Sequence, residues 1–216
     1  VLATTHRDLG RRWAWLVIGC VLLGLGSALM VASHLGLAPW DVLHQGIARH
    51  TGLAIGTVGI FVGGVVLLAW VPVRQRVGIG TAVNVVIVGL SVNAGLAAIP
   101  VPAHTAIAAR GAYLLTGILV MGFGTALYIS AALSAGPRDG LMTGLCRRTG
   151  RSVRSVRSVM EVTVLVLGIA LSGTAGVGTV LFALAIGPII QASLALVASP
   201  VPPVPPGMAV APPPGP

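Results

Sequence analysis

The chain has 216 residues, of which 56% are hydrophobic and only 8% charged, and its mean hydropathy is +0.99. A soluble domain carries roughly a quarter charged residues, so this composition excludes an ordinary water-soluble enzyme and points to lipid as the solvent. The net charge is +9, yet every one of the 13 basic residues is arginine and they fall between apolar runs without interleaved aromatics. That pattern reads as topology determinants, not as a nucleic-acid surface.

The N-terminal segment 1–12 is polar and is expected on the cytoplasmic side. Apolar runs follow at 13–33, 54–73, 79–99, 111–133, 158–175 and 177–197. Each is close to the 20 or so residues that cross a bilayer core as a helix, so an all-α membrane protein of six transmembrane helices is expected. The first run is longer than the 7–15 residue core of a signal peptide, so it is read as a retained helix. Aromatics are only 4% of the chain, and the Leu, Val, Ala, Ile and Gly that remain suit closely packed helices.

A shift of 98 positions superposes Gly24, Gly26, Ala28 and Leu29 on Gly122, Gly124, Ala126 and Leu127. The same shift pairs Pro39, Asp41, Gly46, Arg49 and Gly52 with Pro137, Asp139, Gly144, Arg147 and Gly150, and Gly78, Gly80 and Thr81 with Gly176, Gly178 and Thr179. A duplication follows, with repeat 1 at 13–99 and repeat 2 at 108–197. Three spans per repeat is an odd number, so the two halves are expected in opposite orientations, as in many secondary transporters. With both termini cytoplasmic, eleven arginines lie inside and only Arg49 and Arg110 outside, which is the expected positive-inside bias. The Pro-rich stretch 198–216 cannot form a packed core and is expected to be disordered.

Two matching segments, LAPWDVLHQGIARHTG from Leu37 and AGPRDGLMTGLCRRTG from Ala135, follow the first span of each half. Pro39 and Pro137 suit a first helical position, and Gly52 and Gly150 suit the stop. Each helix is too short to span, which leaves a re-entrant half-helix or an interfacial one; the stripe Trp40, Leu43, Ile47 favours the interface. Gly136, Gly140 and Gly144 recur every four residues and would let another helix approach.

Asp41 and Asp139 are paired carboxylates that either cap their helix N-termini or take part in substrate or ion coupling. Glu161 is the only glutamate, and it falls in or at the rim of the fifth span. It either neutralises Arg157, one turn before it, or forms a substrate or proton site with Arg138 and Arg157 nearby. Asn84, Asn93 and Gln191 are interhelical hydrogen-bonding groups or pathway-lining ones. His34, Asp41 and His44 suggest a metal set, but the second half carries Ala132, Asp139 and Met142 there, and no metal or other cofactor is expected. Cys20 and Cys146 sit in different surroundings, with no CxxC or zinc-type spacing. No nucleophile set or phosphate loop appears, so no enzymatic activity is expected.

GPRDGLM from Gly136, the Arg157-to-Glu161 spacing, GVGTV from Gly176 and IGP from Ile186 resemble the YczE/YyaS/YitT-like family of bacterial membrane proteins, over 13–195. The resemblance implies a multi-pass protein of the bacterial inner membrane, in a family some of whose members are grouped with candidate exporters. Repeat symmetry together with this resemblance leads to the expectation of a secondary transporter or exporter of a small molecule. Its site would lie between the halves, at Asp41, Asp139, Glu161, Arg138 and Arg157. The alternative is a non-transporting membrane scaffold or regulator that acts through its glycine-faced helices, as a homo-oligomer, or through its arginine cluster on anionic lipid.

Overall fold

A computed structural model describes residues 6–75, 77–133 and 135–197; the Pro-rich tail lies outside the described residues. Those residues form eight helices and no strand: α1 (His6–Ser33), α2 (Pro39–Thr51), α3 (Ile55–Leu68), α4 (Ile79–Ala98), α5 (Ile107–Ser130), α6 (Pro137–Thr149), α7 (Val153–Ala170) and α8 (Val177–Val197).

Four helices are long and apolar enough to cross a membrane: α1 from Leu9, α4, α5 and α8. The pair α2 and α3, bent by 111°, makes a fifth if it counts as one broken span. Six spans were expected, and the difference has two local causes. The run 54–73 yields only the 14 residues of α3, about 21 Å of helix, because the chain turns through Trp70 and Arg74, the latter in the left-handed region at φ 53°. The run 158–175 belongs to a helix that starts earlier. Ser152 caps α7 by accepting the Ser155 N–H at 3.2 Å, which brings Arg154, Arg157 and Glu161 into one 18-residue helix and lowers its apolarity.

The short helices α2 and α6 form for the reasons read from sequence. Each begins on proline, whose missing N–H costs nothing at a first helical position. Each ends on a left-handed glycine, Gly52 at φ 72° and Gly150 at φ 67°, whose N–H closes back on the carbonyls of Ala48 and Cys146. Their environments differ. Eight of the thirteen residues of α2 are buried, against only Gly140 and Gly144 in α6. The α2 helix is therefore packed largely within protein, with Trp40 only 5% exposed, while Leu43 and Ile47 of its apolar stripe are half-buried.

The 98-residue spacing recurs in the backbone. It separates Pro39 from Pro137, Ile55 from Val153 and Ile79 from Val177, each the first residue of a helix. It also separates the left-handed residues His34 and Ala132, Arg74 and Ser172, and Gly52 and Gly150.

The centre of the bundle is the antiparallel pair α1 and α5. A Cβ on Gly19 would stand 2.7 Å from the Gly124 carbonyl oxygen, and one on Gly26 would stand 2.7 Å from that of Gly117, so the two backbones meet at two glycine pairs. Arginines tie off the ends. Arg12 Nε donates to the Ala131 carbonyl at 2.7 Å and its guanidinium reaches that of Ala132. Its counterpart Arg110, 98 residues on, donates to Ser33 and His34, each at 2.8 Å. Each arginine near the start of one helix thus satisfies the last carbonyls of the other, where a cation also suits the negative end of the helix dipole. Outside this pair α4 packs on α1, α8 on α5, and α2 on α7.

Gly140 and Gly144 do face a neighbour, but it is a side chain and not a helix backbone. A Cβ at Gly140 would fall inside the Trp70 indole, and one at Gly144 would stand 2.6 Å from Val73 Cγ2. Trp70 is buried and held by Nε1 donating to the Pro137 carbonyl at 2.9 Å, so it cannot simply swing away. Gly140→Leu is expected to lower stability by about 1–3 kcal/mol, read as a lower melting temperature in detergent. An unchanged melting temperature would show that the indole yields freely.

Candidate functional site

The N-terminal ends of α2 and α6 meet at a partly open cavity of about 180 Å³ walled also by α3, α4, α5, α7 and α8. Asp41, Arg138, Asp139, Arg157 and Glu161 all line it. The chain has four acidic residues, so three of its four carboxylates come together here. The rest of the wall is mostly apolar, with Trp40, Tyr128, Met121, Met142, Met160 and Phe182 among it.

The carboxylates are held differently. Asp41, 6% exposed, accepts from Ser27 Oγ at 2.7 Å and lies 3.4 Å from His44 Nδ1. Asp139 accepts from the Tyr128 hydroxyl. Each aspartate is therefore gripped by a hydroxyl from the long helix that precedes it, Ser27 on α1 or Tyr128 on α5. The N-cap residues themselves, Ala38 and Gly136, offer no side-chain cap, and the hydrogen bonds found for the two aspartates are these tertiary ones. Both still sit in the first turn, where the dipole favours negative charge.

Glu161 and Arg157 reach the same cavity from α7 but form no ion pair with each other; the ion pair found among the described residues is Asp41 with His44. The Arg138 guanidinium lies over the Trp40 ring, 4.6 Å from its centroid. Trp40 and Arg138 are 98 residues apart, so two equivalent positions touch, and the cavity lies at the point where the two halves of the chain meet. Trp40 Nε1 is buried without a hydrogen-bond partner.

The equivalent contacts of α2 with α7 and of α6 with α3 differ in closeness. On one side α2 meets α7 backbone to backbone: a Cβ on Gly46 would stand 2.9 Å from the Gly168 carbonyl oxygen, and one on Gly168 would stand 2.6 Å from Leu43 N. Arg49 donates to the Ser172 carbonyl and to Thr174 Oγ1, and Gln45 Oε1 accepts the Thr174 N–H at 2.7 Å. On the other side α6 is packed chiefly by Trp70 and Val73 of the turn that follows α3, with Arg147 donating to Gln75 and Arg148 to the Pro72 carbonyl.

A family model described as a family of unknown function, DUF6198, matches residues 10–194. Among curated proteins the chain is 32% identical over 190 residues to the uncharacterized membrane protein YczE of Bacillus subtilis, covering 87% of each chain. The chain belongs to this YczE/YyaS-like family. An uncharacterized protein of Haemophilus influenzae is 43% identical over 183 residues, 85% of this chain and 83% of that one. YyaS of Bacillus subtilis is 24% identical over 166 residues, 76% and 83%. No solved structure matches. The family relationship and the apolar helices together make this YczE/YyaS-like chain an integral membrane protein.

Sequence reasoning missed Ser27, Tyr128 and the His44 pairing, because each depends on which face of a helix turns inward. The intramembrane asparagines divide their tasks. Asn84 donates to Cys20 Sγ at 3.1 Å and also lines the cavity, and Asn93 ties α4 to α3 through Thr57 and the Gly56 N–H. Gln191 is exposed on α8.

Proposed function

We propose that this protein is a secondary transporter of a small molecule, built from two inverted halves of three membrane-crossing units each, with its substrate site in the central cavity. The observation that carries this reading is the unequal closeness of two equivalent contacts, α2 with α7 and α6 with α3, among the helices that wall one charged cavity. Alternating access needs two such gates around one site, one shut while the other is loose. The reciprocal arginine caps of Arg12 and Arg110 support an antiparallel relation between the halves. An isolated carboxylate in a membrane is costly, and three in one cavity are the usual mark of a substrate or ion path.

With the N-terminus cytoplasmic, α6 lies toward the cytoplasm and the loose gate faces inward. A reporter fused after Val197 is expected to be active only when cytoplasmic; activity on the outer side would remove the inverted arrangement.

The gates are testable through one native thiol. Cys146 on α6 is half-buried, whereas its equivalent in α2, Ala48, is 8% exposed. An impermeant maleimide applied from the cytoplasmic side is expected to label Cys146. It should leave an Ala48→Cys, Cys146→Ala variant unlabelled from either side in the resting state. Equal and ligand-independent labelling of both would argue against paired gates. The function itself is tested in proteoliposomes loaded with a labelled metabolite panel, where flux of at least one solute above protein-free vesicles is expected. No flux of any solute by well-folded protein would favour the scaffold reading.

A further inference from the structure

The unspent polar groups of the cavity define the charge pattern of its ligand. Asp41 is satisfied by Ser27 and His44, and Asp139 by Tyr128. Four groups lining the cavity are left, and one of them, Arg157, is exposed and pairs with no described residue. Arg138 stacks on Trp40 but makes no ion pair with any described residue, so its N–H donors are unclaimed. Trp40 is 5% exposed and its indole N–H is buried with no acceptor. Glu161 is half-buried and likewise has no ion-pair partner among the described residues. Buried donors and acceptors are nearly always paired, so the free donors ask for an anionic acceptor, and the free carboxylate asks for a cation. The positive ends of the α2 and α6 dipoles lie on the donor side and favour the same polarity.

We propose that the cavity takes a small zwitterion, with its carboxylate at Arg138 and the Trp40 N–H and its ammonium at Glu161. This deepens the transport reading and rests on it only for the purpose of binding. A simple cation would leave Arg138 and the indole N–H unpaired and face a guanidinium. A simple anion would leave Glu161 unpaired with two further carboxylates nearby. A cavity of 180 Å³ is slightly larger than one that holds benzene, so the ligand has about eight non-hydrogen atoms. The charge pattern and size are those of a short amino acid or a betaine.

The test uses the full chain in detergent, with radiolabelled L-valine, L-proline and glycine betaine as probes. Isobutylamine and isovalerate, which each carry one of the two charges of valine, are the competitors. At least one zwitterion is expected to bind, with the single-charge compounds weaker by roughly tenfold or more, since each forfeits a charge-assisted contact. Arg138→Gln and Glu161→Gln are each expected to weaken zwitterion binding by on the order of tenfold. Trp40→Phe keeps the ring beneath Arg138 and removes only the N–H, so a smaller loss is expected; it also serves if a charge variant does not fold. Binding of isobutylamine or isovalerate as tight as that of the zwitterions overturns the proposal, as does the absence of zwitterion binding by folded protein. Binding without counterflow in proteoliposomes removes transport and leaves the zwitterion site. Counterflow of isobutylamine in place of any zwitterion leaves transport and removes the zwitterion site.

Discussion

Glu161→Gln is expected to fold normally and to lose most of its transport, on the order of tenfold or more. Glutamine keeps the size and hydrogen-bonding reach of the side chain and removes only its charge. Glu161 has no ion-pair partner among the described residues, so little native structure depends on that charge. In membrane surroundings an unpaired carboxylate is costly, and removing it is expected to leave the melting temperature unchanged or raise it slightly. The competing role is neutralisation of Arg157, one turn earlier on α7. Under that role the single variant would retain transport, because Arg157 can reach lipid phosphate along its flexible stem. The double variant Arg157→Gln, Glu161→Gln separates the two further, because restored flux on removing both charges means that balance between them was the whole role. A folded Glu161→Gln protein with full flux would end the coupling role of this residue.

What could be read from the sequence follows from which signals are local. Hydropathy marked the six longer helices, and the prolines at 39 and 137 with the glycines at 52 and 150 marked both short ones to the residue, because caps depend on the chain immediately around them. Span count was less legible. Hydropathy averages across the turn at Trp70 to Arg74 that ends α3, and it discards Arg154 and Arg157 although arginine is a good helix former. The candidate residues Asp41, Arg138, Asp139, Arg157 and Glu161 stood out because charge is rare in such a chain, and all five line one cavity. Their partners were not legible. Ser27 and Tyr128 look like ordinary residues of apolar spans, and nothing nearby in sequence distinguishes them from Thr125 or Ser33. Arg12 and Arg110 fitted a topology rule, yet their guanidinium groups bind carbonyls 119 and 77 positions away. One residue type carries both roles, and only tertiary contact separates them.

Glycine shows the same limit more sharply, since the 30 glycines of the chain are indistinguishable until their neighbours are known. Gly136, Gly140 and Gly144 drew attention by their spacing, while the seam that joins the two halves is Gly19, Gly26, Gly117 and Gly124. Gly19 and Gly26 are seven residues apart on α1 and Gly117 and Gly124 seven apart on α5, two turns in each case. Gly19 meets Gly124 and Gly26 meets Gly117, a crossed pairing that follows from two equivalent helices running in opposite directions.

Gly26→Ala and Gly64→Ala are therefore expected to change stability in opposite directions although the substitution is the same. A Cβ on Gly26 would stand 2.7 Å from the Gly117 carbonyl oxygen and 2.8 Å from Met121 N. Both are backbone atoms of α5, so relief requires the two central helices to part. That movement would also strain the caps made by Arg12 and Arg110 and the core packing of Met30, Leu114, Ile118 and Met121. The expected cost is about 3 kcal/mol, the upper part of the range for overpacking, with Gly26→Leu failing to give a monodisperse protein at all. A Cβ on Gly64, in α3, would meet nothing within 4 Å. There the substitution removes backbone freedom from a helix interior, and the expected gain is up to about 1 kcal/mol. Melting of both variants in one detergent, with Gly117→Ala as a second probe of the seam, decides the matter. A Gly26→Ala protein as stable as Gly64→Ala would mean that α1 and α5 do not meet through these glycines, and the antiparallel seam at the centre of the fold would have to be abandoned.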